Sequence, residues 1–207
     1  CNHNCSYCAY RVENLQLGQD MSKRDFIPEE KMMEILEDLN DMGIKAVTFS
    51  GGGEPFCYPY LLDAIKFLAK TKIKFACLTN GSRLEGEAAE IFAHYATWLR
   101  VSIDGWDDES YSSYRGVGIG EFTKVINNMK NFKKLSGKCC LSVSLVVDKN
   151  NTAHVYEFSK KLKEIGVDSV KISPCIVSND GEENNRYHRH FFERVKEQTE
   201  SAKEDLD

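Results

Sequence analysis

The sequence predicts an α/β fold in which parallel strands alternate with helices, a sheet of six units either open or partly closed into a barrel. Three observations predict it. Short runs rich in β-branched and aromatic residues alternate with segments whose apolar residues recur at helical spacing. The runs are separated by enough chain for one helical crossover each, and strand–helix–strand units of that kind are right-handed and parallel. The chain has 207 residues, 42% hydrophobic and 29% charged, the balance of one globular domain.

The elements follow in chain order. Pro28 before Glu29 and Glu30 suits a first helical turn, where proline loses no hydrogen bond and acids complement the dipole. Met32, Ile35, Leu36 and Leu39 then form one apolar stripe, and Gly43 can end the helix. Strands are expected over Ile44–Ser50, Ile73–Thr79, Trp98–Asp104, Cys139–Val147 and Val167–Ser173. Helical stripes recur after Pro59 (Leu61, Leu62, Ile65, Leu68), at Phe122, Val125, Ile126, Met129 and Phe132, and at Val155, Phe158, Leu162 and Ile165 before Gly166. All these stripes read as core. Five strands are visible, and because the chain opens on Cys1 rather than an initiator Met, the first strand is expected upstream of it. Residues 1–181 read as one core, and the polar, charged stretch 182–207 as a single solvated helix continuing it. His188 and His190 stand at i and i+2 on that helix and point apart, so they are no metal pair.

Composition excludes several classes. Net charge is −5, from 27 basic and 32 acidic residues, which leaves no electrostatic footprint for nucleic acid. No apolar run approaches the roughly 20 residues that cross a bilayer, and the sequence contains no signal-peptide pattern. The 8 cysteines are not a disulfide framework, which belongs to small secreted chains without enough core. Three crowd into Cys1, Cys5 and Cys8; Cys57, Cys77, Cys139, Cys140 and Cys175 are scattered, several inside apolar runs where a free thiol acts as a small hydrophobe. Reduced cysteines imply a cytoplasmic protein.

Cys1-Asn2-His3-Asn4-Cys5-Ser6-Tyr7-Cys8 has the spacing C-x3-C-x2-C. Three thiolates on so short a loop can surround one soft metal centre. A zinc knuckle would need a fourth ligand, either His3, crowded between two cysteines, or a second CxxC, which the chain lacks. A four-iron cluster held by three cysteines instead keeps one iron free to bind a ligand. This loop, with an aromatic Tyr7 before the last cysteine, resembles the signature of the radical S-adenosylmethionine (radical SAM) enzymes. The resemblance implies a partial (β/α)6 TIM-like barrel of parallel strands. It also implies a [4Fe-4S] cluster on Cys1, Cys5 and Cys8, S-adenosylmethionine chelated on the open iron, and its reductive cleavage to a 5′-deoxyadenosyl radical that abstracts a substrate hydrogen.

Further motifs fall at strand ends, where such folds collect their chemistry. Ser50-Gly51-Gly52-Gly53-Glu54-Pro55 lets backbone approach a ligand closely and adds a carboxylate suited to a cationic amine. It lacks the Lys and Ser/Thr of a phosphate-binding loop. It is similar to the GGE motif of the radical SAM family, so Gly52, Gly53 and Glu54 are assigned to the methionine amino group. The resemblance extends to Thr79-Asn80-Gly81, with Asn80 lining the cofactor pocket, and to Ser102 and Asp104, which alternate onto one face near ribose and methionine. Arg115, expected in a polar loop, is assigned to the methionine carboxylate, which a guanidinium can grip in two-pronged fashion. Tyr7, Ser144, Asn151 and Ile172 complete the cofactor lining, with Ile172 against adenine.

Cys175 lies just past the last strand, at the cofactor end, and is assigned as a hydrogen donor of the kind used by some epimerases of that family. The substrate class stays open among peptides, sugars or nucleotides and other small molecules. A flavodoxin or ferredoxin would supply electrons. No cysteine follows Cys175, so the cysteine-rich C-terminal extension of the related SPASM/twitch proteins is expected to be absent or to lie outside this sequence. The alternatives are a non-enzymatic iron–sulfur electron carrier and a zinc-stabilised binding module.

Overall fold

The computed structural model of the chain describes residues 1–10, 20–22 and 25–206. Helix α1 (Glu29–Asp41) carries its two acids in the first turn and ends at Met42, with Gly43 at φ 70°. Strand β1 (Ala46–Phe49) follows, then a short 3₁₀ turn (Pro55–Cys57), α2 (Leu61–Leu68), β2 (Lys74–Thr79), α3 (Gly86–Tyr95) and β3 (Trp98–Ser102). The second half comprises α4 (Asp108–Arg115), α5 (Glu121–Lys134), β4 (Cys140–Val147), α6 (Val155–Ile165), β5 (Ser169–Pro174), α7 (Gly181–Arg189) and α8 (Phe192–Leu206).

The five strands form one sheet in the order β1-β2-β3-β4-β5, and every neighbouring pair is parallel. All five expected strands are present. Sequential order with a helix between successive strands is the arrangement of a (β/α) barrel wall rather than of a sheet that doubles back.

Alternation divides each strand between two faces. Phe75 and Cys77, Leu99 and Val101, and Leu141, Val143, Leu145 and Val147 are all buried in the core with α2, α3, α5 and α6. Ile65, Leu68, Phe92, Val125, Met129 and Leu162 fill that layer from the helix side. The other face bears Leu78, Trp98, Arg100, Ser102, Ser142, Ser144, Ser169, Lys171 and Ser173, several of them half-buried or exposed. Parallel sheets are ordinarily covered by helices on both sides; here the second face is polar and forms the inside of the partial barrel.

Two helices escaped the apolar-spacing rule. α3 buries Ala89, Phe92 and Ala93, a stripe mostly of alanine that carries little hydrophobic signal. α4 reads DESYSSYR and has no aliphatic residue. Its start is fixed instead by a capping box, in which Asp107 accepts from Ser110 N and Ser110 Oγ accepts from Asp107 N; its end is fixed by Gly116 in the left-handed region. Arg115 is therefore the last residue of a helix and 5% exposed, not a residue of a polar loop. The C-terminal stretch also differs from expectation: it breaks into α7 and α8 near His190 and Phe191. α8 is not free in solvent, because Ala202 is buried and α8 ties to α6 through Gln198 Oε1, which accepts from Tyr156 N, and Asp205, which accepts from Tyr156 OH. Asp207 lies outside the described residues.

Candidate active site

The carboxyl ends of β1 to β4 and the loop Cys1–Cys8 come together at one end of the sheet. The cysteine loop is not a free arm. Asn4 N donates to Arg115 O at 2.8 Å and Ser6 N to Tyr114 O at 3.0 Å, so the loop runs along the end of α4. Asn2 fastens its start: Asn80 Nδ2 donates to Asn2 Oδ1 at 2.8 Å, and Asn2 Nδ2 donates to Ser82 Oγ at 2.7 Å. A turn, Cys8 N to Cys5 O at 3.2 Å, brings the last two cysteines round.

Glu54 is the hub beneath that loop. Its side chain is buried and accepts from Phe56 N at 3.1 Å, Thr79 Oγ1 at 2.6 Å and Asn80 N at 2.7 Å. The first of these caps the 3₁₀ turn, and the other two lock the GGGEP segment to the TNG turn at the end of β2. Burial pushes the Glu54 carboxyl up, and the donors from Thr79, Asn80 and Phe56 pull it back. Gly53 faces the cysteine loop across open space; a Cβ there would have Cys1 N, at 4.0 Å, as its nearest neighbour. Asn80 thus spends its backbone on Glu54 and its side-chain donor on Asn2.

Asp104 and Arg115 form a buried ion pair through Asp104 Oδ2 and Arg115 Nη2. Asp104 Oδ1 also accepts from Val146 N at 2.9 Å. Burial pushes the Asp104 carboxyl above the usual carboxylate range, and the guanidinium on it pulls the other way. Arg115 Nη1 reaches Cys5 Sγ at 3.5 Å, and its guanidinium lies 5.7 Å from the ring centres of both Tyr7 and Tyr111. The sequence assigned Asp104 and Arg115 to separate parts of a ligand, whereas the structure joins them to each other and to the cysteine loop. Arg115 Nε and Tyr7 OH are buried and have no hydrogen-bond partner among the described residues.

The remaining candidates separate. Ser102 and Ser144 are in register on the inner face. Asn151 is buried at 2% exposed with its amide fully engaged: Nδ2 donates to Asp104 O and Val146 O, and Oδ1 accepts from Asp148 N. It shapes the ends of β3 and β4 and has no donor left for a cofactor. Ile172 departs from its adenine assignment. It pairs with Leu145 on the helix-covered face and lines a cleft with Ser159, Thr199 and Ala202, away from the cysteine end. Cys175 is buried just past β5, with its N–H on Val147 O and its carbonyl against His188 Nε2 at 2.7 Å.

Sequence reasoning missed Asn2, Thr79 and Tyr114. Tyr114 lends its carbonyl to Ser6 and its hydroxyl to Asp148. These are positioning contacts between segments remote in sequence, and only Thr79, inside the TNG turn, carried any local signal.

All eight cysteines are free thiols. Among the described residues, no three His, Cys, Asp or Glu side chains converge on a single-ion site. His3, which a zinc knuckle would enlist, is buried with its ring edge-on to Tyr111 and Nε2 3.7 Å from Glu121. A cluster makes a different demand, since its thiolates bind separate irons. Three thiols at the rim, the open space between Gly53 and Cys1, and buried polar atoms without partners among the described residues fit such a group.

A family model for the radical SAM superfamily matches residues 1–161, more than half of the chain and every motif above except Ile172 and Cys175. The chain belongs to the radical SAM superfamily. Among curated relatives, it is 26% identical over 165 residues to an S-adenosylmethionine-dependent nucleotide dehydratase of Lacinutrix mariniflava, covering 80% of this chain and 30% of that protein. It is 21% identical over 197 residues to an AdoMet-dependent heme synthase of Methanosarcina barkeri, covering 94% and 53%. Of solved structures, Streptococcus suis SuiB bound to S-adenosylmethionine aligns with TM-score 0.69 at 19% identity, covering 96% of this chain and 46% of that one. The enzyme anSMEcpe with bound AdoMet aligns with TM-score 0.71 at 20% identity, covering 95% and 54%. These likenesses show that the five-stranded sheet is the radical SAM partial barrel. The chain spans about half or less of the length of these relatives. No helix among its described residues is long and apolar enough to cross a membrane.

Proposed function

We propose that this radical SAM chain is the catalytic core of an enzyme in which Cys1, Cys5 and Cys8 hold a [4Fe-4S] cluster and the strand ends bind S-adenosylmethionine. Bound there, cluster and cofactor supply a 5′-deoxyadenosyl radical that takes a hydrogen atom from substrate. The observation that carries the reading is the tie of the cysteine loop to both the GGGEP–TNG hub and Arg115.

Each residue then has a task. Gly53 leaves room for a ligand's backbone-like amino acid portion, Gly52 lets Met21 and Tyr10 pack close against the same segment, and Glu54 holds that rim rigid through Thr79 and Asn80. Arg115 sets its guanidinium against the Cys5 sulfur and so fixes that part of the loop where the cluster would sit. Asp104 keeps that guanidinium in place. Ser102 and Ser144, on the inner face, offer hydroxyls toward cofactor and substrate. Asn151 supports the rim without touching the ligand. Cys175 is assigned as the hydrogen donor to substrate; burial pushes its thiol up to about 11, so the S–H bond that such a role needs is kept at neutral pH. A small electron-transfer protein such as flavodoxin or ferredoxin is the assigned reductant.

Anaerobic reconstitution with iron and sulfide, followed by dithionite and S-adenosylmethionine, tests the proposal. Accumulation of 5′-deoxyadenosine supports it. A cluster without cleavage would identify an electron carrier, and tight zinc without iron uptake a binding module.

A further inference from the structure

On the inner face of the sheet, beside Ser102 and Ser144, lie Arg100, Ser142, Ser169 and Lys171, to which the cluster and S-adenosylmethionine assign no task. Arg100 pairs in register with Ser142, and Ser142 with Ser169. Two residues nearer the carboxyl ends, Ser102 pairs with Ser144, and Ser144 with Lys171. Neighbouring strands lie about 4.8 Å apart and two residues advance a strand by about 6.6 Å, so the six side chains share a patch about 10 Å across.

The patch is positive and unanswered. Arg100 Nε donates to Ser142 Oγ at 3.3 Å, and the guanidinium is steadied over the Trp98 ring at 5.1 Å. Neither Arg100 nor Lys171 has a carboxylate within ion-pair distance among the described residues. No strand residue on this face is acidic. Asp104, the next carboxylate toward the rim, is already neutralised by Arg115. Arg100 is half-buried and Lys171 exposed, and neither charge is offset by a carboxylate among the described residues. A guanidinium fork and an ammonium on one face together match one chemistry, an oxyanion.

We infer that Arg100, held by Ser142, and Lys171 bind an oxyanion carried by the substrate, a phosphate or a carboxylate. This holds the substrate on the inner face below the rim residues Glu54, Asn80 and Asp104. The identification of the anion's bearer as the substrate rests on the proposed function above.

The test uses the full chain, with inorganic pyrophosphate and succinate as probes at low ionic strength. Acetylation of Lys171 is followed by mass spectrometry against Lys160 on α6, and affinity by calorimetry for the wild type and for Arg100→Gln, Lys171→Met and Lys160→Met. Thermal melts confirm that each variant folds. One anion is expected to slow Lys171 acetylation at least threefold with Lys160 unchanged, and its affinity to fall tenfold or more in Arg100→Gln and Lys171→Met but not in Lys160→Met. Pyrophosphate acting alone assigns a phosphate, and succinate acting alone a carboxylate. Protection by neither, or unchanged affinity in both patch variants, overturns the oxyanion site. The assay needs no cluster, so the two readings fail separately: protection in a protein that never cleaves S-adenosylmethionine overturns only the radical reading.

Discussion

Arg115 and Cys5 lie 110 residues apart in the chain, yet Arg115 Nη1 stands 3.5 Å from Cys5 Sγ. The same guanidinium is clamped by buried Asp104 at the end of β3. This relationship couples the cysteine loop to the sheet. Removing one partner of a buried ion pair leaves a bare charge and costs about 3–5 kcal/mol. Asp104→Asn is expected to lower the thermal melting point clearly and to reduce iron bound after reconstitution. An unchanged melting point would show that the pair is not what holds α4 to the rim.

Glu54 makes a second prediction, because three donors converge on its carboxylate. Glu54→Gln replaces one acceptor oxygen with an amide N–H₂ that confronts donors, at about 1–3 kcal/mol for the unsatisfied group. The variant should fold, with a lower melting point, and bind S-adenosylmethionine at least tenfold more weakly in equilibrium dialysis. Wild-type affinity would remove Glu54 from the rim that shapes the pocket.

Gly116 ends α4 at φ 58°, and a Cβ there would come within 2.7 Å of Asn4 O in the cysteine loop. Gly116→Ala combines left-handed strain, about 1–2 kcal/mol, with a collision against backbone that cannot swing aside. The sheet should survive, seen as native far-ultraviolet circular dichroism, while iron content after reconstitution drops severalfold. Full iron loading would show that the loop tolerates displacement from α4.

The three predictions share an origin in contacts that sequence patterns do not display. Strands and most helices were legible because burial on one face forces an apolar period, as at Leu99 and Val101 or Phe158 and Leu162. The cysteine triad, GGGEP and TNG were legible because spacing and glycine content are local. Arg115 was found as a residue but placed in a loop, because α4 is held by Tyr111, Arg115 and a capping box rather than by an aliphatic stripe. Its pairing with Asp104, the role of Asn2 and the turning of Ile172 toward α6 and α8 depend on which segments meet, and no period in the sequence encodes that.

Cys175 gives a pH prediction. Burial favours the neutral thiol and raises it to about 11, above the ordinary thiol value. The folded state therefore holds its proton more tightly than the unfolded chain. That contribution to stability is present below about pH 8.5 and is lost as pH rises toward 11. Iodoacetamide should modify Cys175 in the folded protein far more slowly at pH 8 than it modifies the unfolded chain, by peptide mass spectrometry. Rapid labelling at pH 8 would mean an exposed thiolate and would remove the S–H donor from the proposal.

The central claim is that Cys1, Cys5 and Cys8 together hold a cluster that cleaves S-adenosylmethionine. Its most direct test is 5′-deoxyadenosine formation by the reconstituted, dithionite-reduced wild type beside Cys1→Ala, Cys5→Ala and Cys8→Ala, with Cys57→Ala as the control. The account predicts product from the wild type and from Cys57→Ala, and none above background from the other three. Product from any one of those three would contradict it.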